Sequence, residues 1–139
     1  MNNKGFTLIE LLAVIAIISV LSGVGIQAYA SYTTKSQKRT YENFESNLKS
    51  AATNYYVVNS DKLIADQDGN SQGQIDGEEL HDQGFLDNMI DPVNKKQCDY
   101  AKSYVKVNGK MDTKESFNTT YTYIVCLVCP HYKSSSCTN

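Results

Sequence analysis

Lys4-Gly5-Phe6-Thr7-Leu8-Ile9-Glu10, followed by Leu11-Leu12-Ala13-Val14-Ile15-Ala16-Ile17-Ile18, is the stretch on which the reading of the chain turns. A basic residue, a glycine and an aromatic lead into a long apolar run, and one carboxylate stands at its head. From Phe6 to Ala30, Glu10 is the sole ionisable acid or base apart from Tyr29. A carboxylate is costly in an apolar segment of this length, so Glu10 is a functional candidate. Phe6 to Gln27 is long enough to cross a bilayer as a helix, which takes about 20 residues.

Working outward, 139 residues suffice for one domain with a modest core. If the first thirty serve a membrane or a filament axis, roughly a hundred remain for a globular head. The net charge of −2 gives no bulk attraction to nucleic acid, and no basic-aromatic strip argues for it. Charge is unevenly placed. Leu63 to Asn94 holds no Lys or Arg but carries Asp66, Asp68, Asp76, Glu78, Glu79, Asp82, Asp87 and Asp91. Lys95, Lys96, Lys102, Lys106, Lys110 and Lys114 follow.

The N-terminal segment admits three readings. As a secretory signal peptide, Lys4 is the charged region and Ala28-Tyr29-Ala30 the small-x-small cleavage site. As a plain anchor it stays uncut. As a prepilin it has a short leader, Met1 to Gly5, cut after Gly5. The motif Lys4-Gly5-Phe6-Thr7-Leu8-Ile9-Glu10 resembles the type IV pilin processing motif and favours the third. That resemblance implies cleavage and N-methylation at Phe6 by a prepilin peptidase, and a filament role for Glu10. The physical logic agrees: cleavage leaves a positive α-amine on Phe6, which a neighbouring subunit's Glu10 neutralises in an apolar filament core. Such a pair is tolerable there and a lone charge is not, so it sets axial register. Lys35, Lys38 and Arg39 after the apolar run point the other way, since the positive-inside rule would place the C-terminal side in the cytoplasm. The domain expectation is a leader over residues 1–5, an apolar polymerisation half over 6–30, and a globular head over 31–139.

Beyond Ala30, Tyr41, Phe44, Leu48, Ala51, Tyr55 and Val58 recur at spacings of three and four, one face of an amphipathic helix. No proline precedes Pro92. A single helix from about Phe6 to about Val58 is therefore expected, apolar all round in its first half and striped in its second. Gly23 and Gly25 soften it, because a helix-interior glycine costs about 1 kcal/mol relative to alanine. They predict a loosened segment in an assembled filament, or alternatively a site of close helix packing.

Asn59 to Gln74 reads as a polar loop. Within and beyond it, Asp68, Asn70, Gln72, Gln74, Asp76 and Glu79 stand at the spacing of an EF-hand loop, with Gly73 at its sharp turn. Calcium is thus the one cofactor to consider. Equally, Asp76 and Glu79 fit an N-cap and capping box for a short helix, Gly77 to Gln83, closed by Gly84.

Ser103-Tyr104-Val105-Lys106-Val107 alternates like a half-buried strand, Asn108-Gly109 signals a tight turn, and Thr119 to Val128 is the best strand candidate. Two or three antiparallel strands would pack on the striped half of the helix. The fold class is α+β, and the succession of elements resembles the type IV pilin fold. Cys98, Cys126, Cys129 and Cys137 allow three pairings. Cys126 and Cys129 point to opposite faces of a strand, so they bond to different partners; of the two sets left open, the preferred one is Cys98–Cys129, tying the pre-sheet loop to the last strand, with Cys126–Cys137, pinning the tail. A zinc site of Cys126, Cys129, His131 and Cys137 is the rival.

No catalytic constellation is evident; His81 and His131 read as isolated surface residues. The expectation is a non-enzymatic structural subunit of a type IV pilus serving adhesion, aggregation or twitching motility. Its partners would be other pilin subunits, the prepilin peptidase and the membrane assembly machinery. It would sit in the inner or cytoplasmic membrane first and in an extracellular filament afterwards. The alternatives are a minor pilin or pseudopilin for DNA uptake or secretion, or a secreted calcium-binding module.

Overall fold

The computed structural model describes residues 5–111 and 118–137. Lys4 and the rest of the expected leader before Gly5 lie outside the described residues, as does Lys114. Residues up to Lys38 form one compact unit and those from Arg39 a second.

The first helix, α1, is Leu8–Val58. Its early residues are strong helix formers and β-branched aliphatics without a proline, and its apolar side chains from Leu8 to Leu21, and Ile26, are exposed. By length and composition it can cross a membrane. Ser19 and Ser22 turn their hydroxyls back onto the carbonyls of Ile15 (2.6 Å) and Ile18 (2.7 Å). That hides their polarity within the segment. The helix runs unbroken through Gly23 and Gly25.

In the second unit the expected stripe is buried at Tyr41, Leu48, Ala51 and Tyr55, with Phe44 partly covered. Val58 departs from it: the buried face ends at Tyr56, and Val57 and Val58 are exposed. Leu48, fully buried, meets a core of Leu80, Met89, Val105, Val107 and Leu127.

Four antiparallel strands make the main sheet rather than two or three: β1 (Ile64–Ala65), β2 (Ser71–Asp76), β3 (Tyr104–Met111) and β4 (Thr119–Cys126), in that spatial order. Ile75 pairs with Val105 and Val105 with Val125. Alternation along β3 turns Val105 and Val107 inward and Lys110 to solvent. The segment expected to be a loop is therefore partly ordered, holding a 3-10 turn at Ser60–Lys62, β1 and the start of β2.

Asn108-Gly109 is not a turn but part of β3, opposite Gln72 and Ser71 on one side and Thr122 and Tyr121 on the other. Glycine serves close approach here. A Cβ on Gly109 would collide with Ser71 Oγ and lie 2.8 Å from Tyr121 Cε1. After β2 comes α2 (Gly77–Asp82), ended by Gly84 at φ +77°, a left-handed C-terminal stop. The long strand expected over Thr119 to Val128 breaks at Leu127. A second ribbon, β5 (Val128–Cys129) with β6 (Tyr132–Lys133), follows.

Candidate functional site

At the helix start, Thr7 and Glu10 bond reciprocally. Glu10 Oε2 accepts from Thr7 N (2.9 Å) and Thr7 Oγ1 (2.7 Å), and Glu10 N donates to Thr7 Oγ1 (3.4 Å). This is a capping box, which satisfies two orphan groups of the first turn. The Thr-x-x-Glu spacing was legible in the sequence, but Glu10 stood out there only as a lone charge. Phe6 and Gly5 precede it, both exposed. The apolar helix thus opens with a carboxylate that is held in place, accessible and next to the expected cleavage point.

The calcium set does not assemble. Gln72, Gln74 and Asp76 lie on β2, a fully paired extended strand, whereas an EF-hand loop must curl around its ion. Asn70 is committed elsewhere: its Nδ2 donates to Asp66 Oδ2 (3.0 Å) and its Oδ1 accepts from Met111 N (3.4 Å). The carboxylate organising this turn is Asp66, which also takes the N–H groups of Asp68 (2.9 Å) and Asn70 (2.8 Å). Hydrogen bonding, led by the Asn70 side chain, holds its carboxyl below the ordinary value. Glu79 accepts from Tyr55 Oη (3.0 Å) and Gln83 Nε2 (3.1 Å), linking α2 to α1. Among the described residues no cluster of three or more His, Cys, Asp or Glu is placed to hold a metal. The donors therefore do not fit calcium. The capping box proposed for α2 also fails, because Asp76 occupies the N-cap position without a side-chain cap bond.

The cysteines pair as Cys98–Cys129 and Cys126–Cys137, so none is left as a thiolate for zinc. The two bonds frame a polar knot that the sequence did not disclose. Asp91, completely buried, accepts through Oδ1 from Val93 N (2.8 Å) and Asn94 N (3.3 Å), and through Oδ2 from His131 N (2.9 Å). His131 Nδ1 lies 3.5 Å from Asp91 Oδ1. Tyr41 stacks on Tyr132 with ring centroids 4.4 Å apart, and burial, then the neighbouring Asp91, pushes its hydroxyl up to about 12. Glu45 on α1 accepts from Tyr132 Oη (2.8 Å) and from Ser134 Oγ. His81 is likewise engaged, stacked on Tyr100 and bonded through Nε2 to Asn88 (3.1 Å).

Residues 1–26 match the family model described as the prokaryotic N-terminal methylation motif. The chain is 41% identical over 70 residues to the fimbrial protein EcpC of Eikenella corrodens, covering 50% of this chain and 44% of that one. It is 46% identical over 54 residues to the type IV major pilin protein PilE1 of Neisseria gonorrhoeae, covering 39% and 33%. It is 33% identical over 90 residues to a fimbrial protein of Pseudomonas aeruginosa, covering 52% and 58%. The aligned stretch is thus less than half the length of the first two relatives. No solved structure gives a significant match. Motif, helix and small disulfide-tied sheet define the class of proteins that carry an N-terminal methylation signal on a long apolar helix. Within that class the long helix, small antiparallel sheet and two disulfides fit the α+β type IV pilin fold, and the chain resembles the type IV pilins.

Proposed function

We propose that this chain is a structural subunit of a type IV pilus, polymerised through the apolar half of α1. The observation that carries the reading is the exposed apolar surface from Phe6 to Leu21, opened by a methylation motif and holding one accessible carboxylate. Apolar surface on this scale demands a bilayer or partner helices. Cleavage after Gly5 by a prepilin peptidase frees the Phe6 amine. In the filament, a neighbour's Glu10 pairs with that amine. The subunit waits in the membrane before assembly and is extracellular afterwards, its head deciding adhesion, aggregation or twitching motility. Its role is mechanical and not enzymatic. The relatives are described as fimbrial proteins and a major pilin, which favours this reading over a minor pilin, a pseudopilin or a secreted calcium-binding module.

Mass spectrometry of the mature protein, with electron microscopy of sheared surface fractions, tests the proposal. The expected result is a chain beginning at methylated Phe6 and filaments that contain it. A mature chain beginning at Ser31 would overturn it.

A further inference from the structure

One cleft in the head is lined by polar side chains that the fold itself does not use. A cavity of about 220 Å³ opens between α1 and the segment following α2. Asn47, Ser50 and Asn54 line one wall and Asp87 the other, with Phe44 and Phe85 as apolar surface. The three α1 residues are exposed and spaced three and four apart, so they share a helix face. Among the described residues, none of these four polar side chains makes a hydrogen bond within the chain. Asparagine and serine are also poor choices for a helix interior, where Ala, Lys or Glu would stabilise more. Three of them on one face break the local rule without a compensating bond, which is where binding residues are expected.

We propose that this cleft binds a neutral sugar ring. Each asparagine amide presents donors and an acceptor, serine presents both, and Asp87 accepts two hydroxyls. A sugar presents the same mixture on adjacent hydroxyls and an apolar C–H face for the phenylalanine rings. No Lys, Arg or His lines the cleft, and its one carboxylate repels anions, so phosphate and acidic sugars are disfavoured. The cavity is smaller than the roughly 300–1,000 Å³ of sites for drug-sized ligands, which suits one or two rings. Affinity per site is weak, and a surface repeating the site multiplies it through effective concentration.

The test uses the full chain in phosphocholine micelles, which carry no sugar headgroup. Saturation-transfer NMR and titration are run with methyl β-galactoside, methyl β-glucoside and N-acetylglucosamine. Saturable binding of at least one is expected, weakened about fivefold by Asn54→Ala and again by Asn47→Ala, in line with the loss of one hydrogen bond each. Both replace an exposed residue by a better helix former, so unchanged circular dichroism certifies the fold. Absence of binding by all three sugars overturns the proposal, as does binding that neither variant weakens. Dispersed subunits are sufficient, so the outcome does not depend on filament formation.

Discussion

Asp91 offers the sharpest quantitative test of how the head is held together. Its carboxylate is fully buried and takes three backbone N–H groups, two from its own turn and one from His131 forty residues away. In Asp91→Asn one oxygen still accepts from Val93 and Asn94. The other position becomes an NH2 facing the His131 N–H, donor against donor. The loss combines a charge-assisted hydrogen bond, about 1.5–3 kcal/mol, with an unsatisfied buried donor, about 1–3 kcal/mol. A destabilisation of ~3 kcal/mol or more follows. For a head of this size that lowers Tm by roughly 12–24 °C. The pH dependence has a definite sign. Burial alone raises the Asp91 carboxyl, but the N–H groups of Val93, His131 and Asn94 outweigh it and hold the group below its ordinary range. A lowered folded value means that the contribution is whole above the unfolded value of about 3.9 and is lost as pH falls through the folded one. Urea unfolding at pH 7 and at pH 3, by circular dichroism in micelles, should show a large gap between wild type and Asp91→Asn at pH 7 and a smaller one at pH 3. Equal stability at pH 7, or a gap that does not narrow in acid, refutes the assignment.

Other perturbations test other layers. Leu48→Ala removes a fully buried side chain from the helix stripe and should cost about 2–5 kcal/mol in the same unfolding assay. The paired change Cys126→Ser and Cys137→Ser opens a loop with a sequence separation of 11, worth about 3 kcal/mol on the chain-entropy model; urea midpoints measure it. Gly109→Ala forces a Cβ against Ser71 and Tyr121, costing about 1–3 kcal/mol as overpacking. A neutral result there would mean that β3 and β4 do not pair in the stated register. Glu10→Ala should leave the precursor stable in membranes but abolish filaments by electron microscopy. Normal filaments would remove Glu10 from the assembly contact.

Legibility in the sequence tracked how local each feature is. The helix was readable to within two residues of its ends because its causes are local: periodic apolar residues, no proline, and one composition shift near Ala30. The stop at Gly84 was readable for the same reason. The calcium-like spacing misled because alternating Gln and Asp on a solvent-facing strand matches the every-second-residue spacing of EF-hand ligands. Only pairing with β3 decides between them, and that partner lies about thirty to forty residues on, from Tyr104 opposite Asp76 to Gly109 opposite Ser71. Asn108-Gly109 misled in a related way, since glycine there meets a packing need across strands and not a backbone need within a turn. The Asp91–His131 and Glu45–Tyr132 contacts span 40 and 87 residues, and nothing local announces them.

These long-range contacts explain why the cysteines sit where they do. The C-terminal ribbon is only two residues per strand, too short to persist by its own pairing. It is held by Cys129 to Cys98, by Cys137 to Cys126, and by Tyr132 and Ser134 to Glu45 on the helix. Each link alone is weak or entropic; together they fix the ribbon against the striped part of α1. The described apolar side chains of α1 before Ala30 are exposed, and Glu10 is satisfied there by its own capping box. A head tied together internally and a helix start whose described apolar side chains are exposed suit the subunit proposed above, one that would pass from lipid to neighbouring helices without refolding. Under that proposal the energetic demand of the transfer falls on the apolar helix, and Glu10 is the charge there that would change partners.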